Sequence, residues 1–95
     1  MSLRRDTPVW ELFIGACERN ELNKVQSLLI FDVDVNWMLN GWSGLHIAAE
    51  DNYGELLELL LAQTGVDVNI RNNTNWTPLM VACISGHEDI VRRLC

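Results

Sequence analysis

Basic residues are scarce in this chain: seven Lys and Arg stand against thirteen Asp and Glu, a formal net charge of -6. Nucleic acid and anionic membranes are bound through a basic stripe that displaces counterions. Here the cations Arg4, Arg5, Arg19, Lys24, Arg71, Arg92 and Arg93 are scattered, and only Arg4–Arg5 and Arg92–Arg93 are adjacent. Neither partner is therefore expected. No run approaches the ~18 apolar residues that a membrane span needs, and no signal-peptide core follows Arg4–Arg5. The three cysteines cannot close a disulfide framework, being odd in number. None belongs to a C-x-x-C or to a Cys/His cluster with zinc spacing. Cys17 and Cys83 fall in apolar helical segments, where a reduced thiol packs as a small hydrophobe. A reducing compartment, cytoplasmic or nuclear, follows as the expectation.

Catalytic constellations are missing too. There are two histidines, His46 and His87, and no serine or cysteine is placed beside a base by any motif. Glu50 and Asp51 are adjacent, so on a helix end they diverge rather than converge on a substrate. A glycine-rich phosphate loop is absent. The sequence gives no reason to expect an enzyme, a metal or a cofactor. With 48% hydrophobic residues the chain is a folded one, and 95 residues make one domain at most.

What the sequence does have is internal repetition. Asp34-Val35-Asn36 recurs as Asp67-Val68-Asn69, and Trp42-Ser43-Gly44-Leu45 recurs as Trp76-Thr77-Pro78-Leu79. Ala16-Cys17, Ala48-Ala49 and Ala82-Cys83 form a third series in the same order. Each unit reads as two short helices and an extended link. Thr77 caps the first helix of the last unit, with Pro78 at the position where its missing N–H costs nothing. Gly86, Asn52 and Asn20 end the first helices, since glycine and asparagine tolerate the left-handed conformation. Apolar faces follow on the second helices: Val25, Leu28 and Leu29; then Leu56, Leu57, Leu59, Leu60 and Leu61; then Ile90, Val91 and Leu94. No single unit buries such a face alone, so the units must stack.

These motifs resemble the ankyrin repeat, whose consensus runs T-P-L-H, A-A, G-H, L-L, D-V-N. Thr77-Pro78-Leu79, Gly86-His87 and Asp67-Val68-Asn69 match it directly, and Ser43-Gly44-Leu45-His46 is a variant without the proline. The resemblance implies an all-α solenoid of stacked helix-turn-helix units joined by hairpin fingers. A tail at 1–7 precedes an array at 8–95, with approximate repeats 8–38, 39–71 and 72–95, the last truncated. Further repeats or another domain are expected beyond Cys95, because Ile90, Val91 and Leu94 would otherwise face no neighbour. The departures are informative. Glu11-Leu12-Phe13-Ile14 replaces T-P-L-H in a degenerate first unit, and Met80 stands where histidine is usual. The link from Asn36 to Trp42 is one residue shorter than that from Asn69 to Trp76, which predicts a distorted first finger. An extra residue near Gln63-Thr64 predicts a bulge.

The function the family implies is protein binding, through the concave face and the finger tips. Its histidines brace turns, which is the role expected of His46 and His87. The residue before T-P-L-H projects toward the concave face; here it is Trp42 and Trp76, a residue type enriched at interface hot spots. Trp37, Met38 and Leu39 in the first link are three apolar residues in a loop, explained by a partner or by packing on the finger. Asn73 and Thr74 sit in a polar second link suited to partner contact or to turn chemistry. Glu50, Asp51, Ile84 and Ser85, with Glu18 and Arg19, border the groove, and the acidic ones favour a basic or amphipathic protein or peptide. Asn36 and Asn69 hold the position that asparaginyl hydroxylases modify in such repeats, each with a leucine eight residues upstream, Leu28 and Leu61. Two other readings stand beside a scaffold: a regulatory or substrate-recruiting segment of a larger enzyme, channel or ubiquitin ligase, and a small-ligand site between the tryptophans.

Overall fold

The computed structural model describes residues 8–31 and 33–95. The tail expected at 1–7, with the Arg4–Arg5 pair, lies outside the described residues. Six helices and one small hairpin follow in order: α1 (Val9–Glu18), α2 (Leu22–Ile30), β1 (Met38–Leu39), β2 (Trp42–Ser43), α3 (Gly44–Asp51), α4 (Gly54–Leu61), α5 (Pro78–Ser85) and α6 (Glu88–Leu94). The helices pair as α1 with α2, α3 with α4 and α5 with α6. The pairs stack, α1, α3 and α5 forming one layer and α2, α4 and α6 the other.

The same joint recurs in each pair. Asn20, Asn52 and Gly86 adopt φ of 55°, 60° and 78°. The next amide in each case donates to the carbonyl of the unit's first alanine: Glu21 to Ala16, Tyr53 to Ala48 and His87 to Ala82. This left-handed close satisfies a carbonyl that the helix end leaves free. Helix starts differ more. Ser43 and Thr77 cap α3 and α5, their hydroxyls accepting from the amides of His46 and Met80. In the degenerate first unit α1 begins after Pro8 without a side-chain cap and runs ten residues rather than eight.

The core lies between the layers. Phe13, Ile14, Ala16, Cys17, Val25, Leu45, Ala48, Ala49, Leu56, Leu57, Leu60, Ala82 and Ile90 are all 1% exposed or less. Alanines on α3 and α5 let those helices close on each other, and the leucines of α4 fill the space behind them. Packing is so tight at Gly44 that a Cβ there would lie 3.1 Å from Leu60 Cδ1 and 3.2 Å from Cys17 Sγ.

Two sequence expectations are corrected. The first finger is the more regular one: β1 and β2 pair in antiparallel register, Met38 with Ser43 and Leu39 with Trp42. Its shorter link leaves only Asn40 and Gly41 between the strands, at φ of 56° and 82°. Positive φ at both residues is what a two-residue hairpin turn requires, and Asn-Gly supplies it. Cys83 is exposed rather than packed. The equivalent Ala49 is covered by α5 of the following unit, whereas no described element lies over α5 in the same way. Val68 shows the same contrast, 40% exposed where its counterpart Val35 is 6% exposed.

Candidate functional site

The first finger meets the ends of α1 and α3 around one groove. His46 fixes this region from inside. Its imidazole is fully buried, with Nδ1 accepting from the Ser43 hydroxyl at 2.8 Å and the Ser43 amide at 3.3 Å. Nε2–H donates to the Trp76 carbonyl at 2.8 Å, tying the second unit to the next finger. Burial pushes its pKa below the ordinary 6.5, while the Trp76 and Ile70 carbonyls pull it partly back. The neutral ring is therefore the working form, and it serves as a brace. His87 does the same one unit later, Nε2 donating to the Glu50 carbonyl at 2.8 Å. The bracing role expected of both histidines is what the geometry shows.

A groove of about 270 Å³ opens beside Trp42. Leu39, Trp42 and Ile47 supply its apolar lining, and Glu18, Glu50 and Asp51 its acidic one. Asn40 completes the finger side, its carbonyl accepting from Asn73 Nδ2 at 3.3 Å. Trp42 is half-buried and meets the His46 ring edge-on, centroids 5.6 Å apart at 74°. Trp76, on the second finger, is 38% exposed. Its backbone is held at both ends, the amide donating to Asn72 Oδ1 and the carbonyl accepting from His46. Five of the residues singled out from sequence, Glu18, Leu39, Trp42, Glu50 and Asp51, thus meet in one groove.

The others are dispersed. Trp37 packs on Trp10 of α1, ring centroids 4.7 Å apart and tilted by 35°. Met38 is 37% exposed on β1. Ile84, 66% exposed, and Ser85 end α5. Asn73 braces the two fingers together: its amide donates to the Gly41 carbonyl at 3.0 Å and its Nδ2 to Asn40. Thr74 donates its hydroxyl to Asn72 Oδ1 at 2.8 Å. Asn72 organises the second finger, its Oδ1 accepting from Thr74 N, Thr74 Oγ1 and Trp76 N. Nothing in the polar run from Arg71 to Asn75 marks it as the residue that folds inward.

The two D-V-N asparagines part company. Asn36 spans units, Nδ2 donating to the Gly65 carbonyl at 2.9 Å and Oδ1 accepting from the Asp67 amide at 2.8 Å. Asn69 has an amide bonded to Asp67 Oδ1, and its side chain makes no hydrogen bond among the described residues. Cys17 is buried against Gly44, its thiol pushed up to about 12 by burial and, secondarily, by Glu18. Among the described residues no group of histidine, cysteine and carboxylates is placed to hold a metal ion, and no helix is long and apolar enough to cross a membrane.

Comparison with known proteins agrees with this architecture. The family model described as ankyrin repeats, in three copies, matches residues 12–95. The chain is 44% identical over 61 residues to mouse protein phosphatase 1 regulatory subunit 12A, covering 64% of this chain and 6% of that protein. It is 36% identical over 86 residues to the Drosophila melanogaster ankyrin repeat and KH domain-containing protein mask, covering 85% of this chain and 2% of the relative. To the probable E3 ubiquitin-protein ligase XBOS31 of rice it is 32% identical over 97 residues, covering 99% of this chain and 21% of the relative. The chain spans a small part of the relatives it matches. Ankyrin repeats are protein-interaction modules and are typically not catalytic. With six helices in stacked pairs, fingers between them and a family match over nearly its whole length, this chain belongs to the ankyrin-repeat family.

Proposed function

We propose that this chain is a protein-interaction module that binds a protein or peptide segment across its concave face and finger tips. The observation that carries the reading is the position of the two tryptophans. Both stand on fingers whose backbones are fixed without them, the first by its strand pairing and Asn40-Gly41 turn, the second by the His46 and Asn72 hydrogen bonds, so neither ring is needed to close its own turn. Large rings held on a rigid frame bury much area on binding at small entropic cost. Glu50, Asp51, Ile84 and Ser85 border the same face from the helix ends, and Met38, Asn73 and Thr74 extend it along the fingers. Retention of proteins from lysate by the wild type, lost by a folded Trp42→Ala, Trp76→Ala variant, is the expected result. Equal retention by a variant with unchanged circular dichroism would contradict it.

A second reading is favoured by the open face of the third unit. Val68 and Cys83 are exposed where Val35 and Ala49 are covered by the next unit, and the Asn69 side chain lacks the bonds Asn36 makes across units. The complement of that face is another unit of the same repeat, as in a recruiting or regulatory segment of a larger protein. Names among the relatives, a phosphatase regulatory subunit and a probable ubiquitin ligase, accord with such a setting. Fusing one consensus unit after Cys95 should protect Cys83 from alkylation and raise the urea midpoint. Unchanged Cys83 reactivity would count against it.

A further inference from the structure

We propose that the groove between the first and second units takes a cationic side chain, lysine or arginine, presented by an extended segment of a partner protein. This rests on the reading of the concave face as the binding surface, and it names the chemistry of the occupant. The groove combines two linings. Leu39, Trp42 and Ile47 offer apolar surface that suits the aliphatic stem of a long basic side chain. Glu18, Glu50 and Asp51 offer carboxylates to its charged head. Three elements contribute: the end of α1, the first finger and the end of α3.

Charge is what selects this occupant. The described cations are engaged elsewhere: Arg19 and Lys24 on Glu21, Arg92 on Glu88 and Asp89, Arg93 on Glu58, and Arg71 on the Asn75 carbonyl. Among the described residues, none of the groove carboxylates has an ion-pair partner. An apolar or acidic side chain entering here would desolvate carboxylates without compensating them. A cation compensates them and gains from the indole ring, the best of the aromatic faces for a positive charge. The acidic character is also local. Shifting the second unit onto the third replaces Glu50 and Asp51 by Ile84 and Ser85, and Leu39 by Asn73, while Trp42 becomes Trp76. The neighbouring groove keeps the ring and, of the three carboxylates, only that of Glu50 in the place of Glu18. One basic side chain at one register position is therefore selected, rather than a basic stripe along the array.

The test is an NMR titration of ¹⁵N-labelled protein with capped glycine–serine peptides carrying one lysine, one arginine or one norleucine. Expected are shifts of the Trp42 indole N–H and the Ile47, Glu50 and Asp51 amides with the lysine or arginine peptide. The norleucine peptide should leave them in place. Those shifts should weaken by about half or more between ~25 and ~300 mM salt, as the Debye length shrinks. A Glu50→Gln, Asp51→Asn variant should bind about three- to tenfold more weakly. Its fold is spared, because Glu50 braces His87 through its backbone carbonyl. Equal shifts with norleucine, shifts centred on Trp76 instead, or none with any peptide would each overturn the proposal. Those outcomes leave the interaction-module reading to the lysate experiment, which does not depend on the charge of the ligand.

Discussion

Replacing Asn36 by alanine should destabilise the fold, whereas the same change at Asn69 should not. The two residues end the same D-V-N triplet and have the same chemistry, so intrinsic propensity and the unfolded state nearly cancel in the comparison. What differs is the native environment. Asn36 makes two side-chain hydrogen bonds across units, to the Gly65 carbonyl and from the Asp67 amide, at 2.9 and 2.8 Å. A typical intramolecular hydrogen bond contributes ~0.5–1.5 kcal/mol net. Asn36 is half-exposed, so water replaces part of the loss and the lower end applies: about 1–2 kcal/mol for the pair. For a domain of this size each kcal/mol moves Tm by ~4–8 °C. Asn69→Ala removes no described side-chain hydrogen bond and should stay within about 0.5 kcal/mol. Urea and thermal unfolding of both variants, followed by circular dichroism, would measure the difference. Equal losses, or a larger loss at Asn69, would refute the claim that the Asn36 side chain ties the units together.

Cys17 should resist iodoacetamide in the native protein while Cys83 and Cys95 react, because burial pushes the Cys17 thiol up to about 12 and the other two are exposed; peptide mass mapping reads this, and rapid native labelling of Cys17 would contradict it. Burial of His46 lowers its pKa below 6.5 in the folded state, so the unfolded chain takes up a proton first as pH falls through that value. Stability is unaffected well above 6.5, drops below it, and keeps dropping until the folded-state pKa is reached. The urea midpoint should therefore be lower at about pH 5.5 than at about pH 7.5, and a flat profile would contradict the buried neutral imidazole. Gly41→Ala should cost more than Gly65→Ala: both have positive φ, 82° and 84°, but only a Cβ at Gly41 collides with Asn73. The expected losses are ~1 kcal/mol at Gly65 and ~2 kcal/mol or more at Gly41, with equal midpoints as the contrary result.

Much of the architecture was legible because its determinants are local and repeated. Left-handed helix ends at Asn20, Asn52 and Gly86, the Thr77-Pro78 start and the leucine face of α4 each follow from residue type and spacing. Cys83 departs from expectation because helical amphipathicity does not say whether a neighbour covers a face. The first finger departs from expectation because its shorter link is no defect: Asn40-Gly41 is the pair that closes a two-residue turn. At the site, the sequence identified Glu18, Leu39, Trp42, Glu50 and Asp51, and the stacking supplied Ile47 and their convergence. Asn72 and the Trp10–Trp37 contact were out of reach, since both depend on which side chains fold back across a loop or between elements. The register of Trp42 against Trp76 was readable; the distinct surroundings of the two rings were not.

Docking of partners on the finger-bearing concave face can be read by site-specific photo-crosslinking. A benzophenone amino acid would be placed at Trp76 in one variant and at Gln26, exposed on α2, in another. Irradiation in cells should give defined covalent adducts from position 76 and none from position 26. Adducts confined to position 26, or identical from both, would place the binding surface on the other layer and contradict the account.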